Sequence, residues 1–66
     1  MEEFRLTSDI KQNGEKIGWI CLHMKLASYQ IDVHLFGISV PVETVIISDY
    51  FLALHKMRIL ENKYSY

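Results

Sequence analysis

The sequence is short of several things that would point to a function. It has a single cysteine, Cys21, so no intrachain disulfide can form. It has no basic segment followed by an apolar stretch and a small-residue cleavage site, so no secretory signal is expected. Its longest apolar runs are far too short to cross a bilayer. Together these point to an intracellular, cytoplasmic protein with no membrane attachment. There is no excess of charge of either sign: 7 basic and 8 acidic residues leave a net charge of −1. Nucleic-acid binders draw affinity from clustered Lys and Arg. The pairs Lys56/Arg58 and Lys11/Lys16 do not form such a cluster, and exposed Lys and Arg are the default for these residue types. A nucleic-acid-binding accessory role is therefore the third-ranked reading. Gly14, Gly18 and Gly37 lack the spacing of a phosphate-binding loop. Repeats and low-complexity segments are missing as well.

What is present is apolar. Half of the 66 residues are hydrophobic. A chain of this length makes a single domain, 1–66, and hides only about 60% of the surface its unfolded form exposes. So much apolar surface in so small a body points to self-association or to a protein partner.

The strongest local signal is Asn13-Gly14. Asn and Gly tolerate positive φ, and between two alternating segments this dipeptide marks a β-hairpin. Before it, Phe4, Leu6 and Ile10 alternate with Arg5, Thr7, Asp9 and Lys11, the period of a half-buried strand. A two-residue loop would set Lys11 opposite Lys16. A three-residue loop sets Lys11 opposite Glu15 and Leu6 opposite Ile20, and the opposite charges favour it. A second strand runs over about 16–26, and a two-residue turn at Ala27-Ser28 leads to a third over 29–36. That turn pairs Met24 with Ile31, Leu22 with Val33 and Ile20 with Leu35. On the other face it pairs His23 with Asp32, Cys21 with His34 and Trp19 with Phe36. Gly37 marks a bulge or the strand's end.

After Pro41 two patterns compete. The run Val42–Ile47 is rich in β-branched residues, which favour strands. Yet Val42, Ile46, Tyr50, Ala53, Met57 and Leu60 also form one helical stripe, with Pro41 suited to its first turn. The helix therefore spans either 42–62, which is slightly favoured, or 49–62. In the shorter version Ser48 is the N-cap, Asp49 lies in the first turn, and a fourth strand precedes it. The expected fold is α+β: a three-stranded antiparallel meander, four-stranded if 42–47 is strand, with one C-terminal helix on one sheet face. The inner core would be Phe4, Leu6, Ile10, Ile20, Leu22, Met24, Ile31, Val33 and Leu35 against Ile46, Tyr50, Leu54 and Met57. Val45, Leu52 and Ile59 lie off the main helical stripe and form a second apolar face that needs a cover. The terminal Tyr64 and Tyr66 look frayed, or available to a partner.

Two groups of residues are site candidates. Trp19 and Phe36 on the outer sheet face, with Leu52 and Ile59 on the helix, have the composition of a partner-binding surface. Cys21, His23, Asp32 and His34 share the outer face and are good zinc ligands, which makes a metal-binding or metal-sensing module the second-ranked reading. Their Cys-x-His…Asp-x-His spacing matches no well-marked zinc signature, so no cofactor is expected. A Cys–His pair with an orienting carboxylate can also activate a thiolate. Catalysis needs a concave pocket and oxyanion donors besides, and a sheet face offers neither, so the protein is not read as an enzyme. His55 reads as a solvated polar residue. The first-ranked reading is a homo-oligomeric protein that works by protein–protein contact, as an adaptor, inhibitor or regulatory subunit.

Overall fold

The computed structural model describes residues 5–65. Phe4 and Tyr66, and the expected beginning of the first strand at residue 3, lie outside them. Strands β1 (Arg5–Gln12), β2 (Glu15–Met24), β3 (Tyr29–Leu35) and β4 (Glu43–Ile47) precede helix α1 (Tyr50–Tyr64). The strands form one antiparallel sheet in the order β1-β2-β3-β4. The fold is the expected α+β meander in its four-stranded form, with α1 on one face.

The β1–β2 hairpin turns through two residues, not three. Asn13 and Gly14 both have positive φ, 55° and 80°, as a type I′ turn requires. Gln12 then faces Glu15, and Lys11 faces Lys16. One step further the register shifts, because Ile10 pairs with Gly18 and leaves Ile17 as an extra residue on β2. Beyond this bulge Leu6 faces Leu22 and Ser8 faces Ile20. The expected pairing of Leu6 with Ile20 is thus two residues out, but an offset of two keeps every side chain on its expected face.

The β2–β3 connection holds a similar correction. Ala27-Ser28 is not a two-residue turn. The loop runs over 25–28 and is closed by the Lys25 N–H donating to the Ser28 carbonyl at 2.8 Å. Leu22 therefore faces Ile31, Ile20 faces Val33, Cys21 faces Asp32, Trp19 faces His34 and His23 faces Gln30. At Gly18 the backbone of β3 leaves no room for a side chain. A methyl group there would land on the His34 carbonyl oxygen and 2.9 Å from the Leu35 Cα. Gly37 sits in the turn after β3.

The run after Pro41 is strand, which overturns the long helix 42–62. Asp49, not Ser48, is the N-cap, and its side chain accepts from the Phe51 N–H at 2.8 Å. A shorter helix frees β4 to pair with β3 through Tyr29–Ile47, Ile31–Val45 and Val33–Glu43.

Ile10, Ile20, Leu22, Ile31 and Val33 from the sheet close on Ala53, Met57 and Leu60 of α1, all buried. Each fully buried aliphatic side chain contributes roughly 1.5–3 kcal/mol relative to exposure. Leu35, Val45, Ile47, Tyr50 and Tyr64 pack around this centre. Four expected core members differ. Leu54 of α1 is only half-buried and lies outside the core cluster. Ile46 points from β4 to the opposite face and is 67% exposed, while Leu6 and Met24 are exposed near strand ends. Val45, expected on a second helix face, is instead on the inner face of β4. Tyr64 is not frayed: its hydroxyl donates to Glu43 Oε1 at 2.7 Å, beside the Lys63 ammonium at 2.9 Å.

Candidate functional site

Because α1 covers one face of the sheet, the other face is open. Alternation puts Trp19, Cys21 and His23 of β2 there, with Gln30, Asp32 and His34 of β3 and Thr44 and Ile46 of β4. The centre of this face is polar and organised around Asp32, which is buried. Its carboxylate accepts from Gln30 Nε2 at 3.1 and 3.2 Å, from Thr44 Oγ1 at 3.0 Å, and pairs with His23 Nε2 at 3.2 Å. Burial alone would raise the Asp32 pKa. The hydrogen bonds from Gln30 and Thr44, helped by His23 and His34, outweigh it and hold the carboxyl below its ordinary value.

His23 and Asp32 are the expected hydrogen-bonded pair, reached along the diagonal and not as direct neighbours. With Nε2 turned to Asp32, His23 presents Nδ1 to the Cys21 sulfur at 3.9 Å. A thiol, an imidazole and a carboxylate are thereby lined up. The thiol is buried beneath its neighbours, so the alignment is an internal polar network. His34, the fourth residue of the candidate metal set, is turned away. Its ring stacks on Trp19 with centroids 4.8 Å apart and planes 16° from parallel. Among the described residues no group of three or more His, Cys, Asp or Glu side chains is placed to hold a metal ion.

The partner-binding candidates fall into two patches on opposite sides of the molecule. Trp19 is half-buried under His34, and its ring lies 5.9 Å from that of Phe36, a residue that is 56% exposed. The stack His34–Trp19–Phe36 leads into the β3–β4 connection, where Ile38, Val40 and Val42 are also exposed. Leu52 and Ile59, 58% and 44% exposed, sit seven residues apart on the solvent side of α1, with Phe51 beside them. His55, on the same side, is exposed.

Two contributors to the open face escaped the sequence reading. Gln30 is two residues before Asp32 on the same strand, so the alternation that grouped the other polar residues could have revealed it. Thr44 could not be placed while 42–47 was divided between helix and strand. The chain matches no protein-family model, no curated protein and no solved structure.

Proposed function

We propose that the protein acts by protein–protein contact inside the cell, as an adaptor, inhibitor or regulatory subunit, and that it self-associates. Its mechanism is burial of surface, not chemistry. The observation that supports this most directly is the aromatic stack of His34, Trp19 and Phe36, continuous with the exposed apolar connection Ile38–Val42. Aromatic rings held rigid by their neighbours at an apolar patch are the composition of an interaction hot spot. The buried carboxylate at Asp32 stiffens the strands beneath this stack, because its donors come from β2, β3 and β4. Leu52 and Ile59 offer a second, separate contact area.

Photo-crosslinking in cells tests this. A photoreactive side chain at position 36 should give discrete protein adducts that disappear with Trp19→Ala. The same group at Glu15, exposed on the hairpin, serves as control. Identical adducts from both positions, or adducts at 36 that survive Trp19→Ala, would remove the reading.

A further inference from the structure

We infer that the free edge of β4 is a self-pairing site. A second copy of the chain adds its own β4 antiparallel, making one continuous eight-stranded sheet. The inference rests on the proposal of self-association and gives it a location.

An edge strand offers unpaired backbone N–H and C=O groups, and proteins usually protect it with charge, proline, a bulge or a cover. Among the described residues, the edge of β4 has no proline, bulge or cover within its span. It reads Glu-Thr-Val-Ile-Ile and is β-branched from Thr44 onward. Its one charge, Glu43, is drawn inward by Lys63 and Tyr64. α1 lies mainly over β1, β2 and β3. The opposite edge differs. β1 exposes Arg5, Asp9 and Lys11, its hairpin is bulged, and the Lys11 N–H donates to Ser65 Oγ at 3.3 Å.

β4 is suited to pair with itself. A twofold axis through Val45 uses all five residues, sets Thr44 against Ile46 of the second copy, and sets Glu43 against Ile47. No like charges face each other, and a net charge of −1 leaves little repulsion between copies. The axis is perpendicular to the sheet, so both helices lie on one side and both open faces on the other. With one open edge and one blocked edge, the assembly closes as a dimer and does not grow into a fibre. A five-residue edge buries less than the ~1,200 Å² of a standard interface. A Kd of about 1–100 μM is therefore expected.

Sedimentation velocity across that range, on three chains, tests the register. The unaltered protein should move from monomer to dimer. Thr44→Lys combined with Ile46→Lys sets like charges opposite each other twice and should weaken the dimer at least tenfold. Thr44→Lys combined with Ile46→Glu sets opposite charges there and should restore it. Both variants carry the same lysine opposite Asp32, so the change at position 44 cannot account for a difference between them. Dimers of equal strength in all three would overturn edge pairing and leave self-association standing. Monomers throughout would overturn both. If either variant fails to fold by circular dichroism, amide exchange on the unaltered chain decides. Protection of Glu43–Ile47 that rises with concentration supports the inference, and unchanged protection overturns it.

Discussion

The two edges of the sheet have opposite designs. At β1 the end of the helix folds back on the strand. Ser8 Oγ donates to Glu61 Oε2 at 2.9 Å, Gln12 Nε2 donates to the Tyr64 carbonyl at 2.8 Å, and Ser65 receives the Lys11 N–H. At β4 the helix makes its tie through the single Glu43 side chain, at the first residue of the strand. The remaining four residues are held by β3 alone and by the inward packing of Val45 and Ile47. The helix thus ties down the β1 flank at several points and the β4 flank at one, and the proposed pairing uses the less tied flank.

The contrast breaks most completely at the seam between the two halves of the sheet. Gly18→Ala drives a methyl group into the His34 carbonyl, a backbone atom that cannot step aside. A loss of about 3 kcal/mol or more is expected, read in urea denaturation, with both edges disordered together. Next in size is Tyr64→Ala, which removes core packing and the Glu43 hydrogen bond and loosens the helix end on β1. A loss of about 2 kcal/mol is expected, with exchange at the Lys11 amide rising more than at β4. Because β1 then opens, species larger than a dimer should also appear in sedimentation. Asp49→Ala removes the helix cap at the β4 side and should cost about 1 kcal/mol. Faster exchange should be confined to the first turn of α1.

The smallest expected effect is in acid. Asp32 and Glu43 both have folded-state pKa values below their ordinary ones, Glu43 through its hydrogen bonds to Lys63 and Tyr64. The unfolded chain therefore takes up these protons first as the pH falls. Stability from both groups is intact above unfolded-state values of about 4 and is lost below them, as the pH passes through the folded-state values. Thr44→Val removes one donor to Asp32 and should make this acid loss shallower, as measured by thermal melts between pH 6 and 2.

The sequence made faces legible and registers not. Alternation alone placed Ile20, Leu22, Ile31 and Val33 inside and Cys21, His23, Asp32 and His34 outside. These assignments survived because both register errors were offsets of two residues. The bulge at Ile17 and the four-residue loop over 25–28 have no strong sequence mark, so which outer residues touch could not be foreseen. Cys21 meets Asp32 and not His34, and His34 meets Trp19 and not Cys21. The helix beginning was ambiguous for a different reason. Val42 and Ile46 fit a helical stripe and a strand equally well, and the pairing with β3 that decides between them is a tertiary contact.

Amide hydrogen exchange at the two edges, followed by NMR at about 10 μM and about 1 mM so as to bracket the expected Kd, tests the central contrast most directly. Protection should rise with concentration across Glu43–Ile47 and stay constant along Arg5–Gln12. A rise at β1, or none at β4, would contradict the division of the sheet into a blocked edge and a pairing edge.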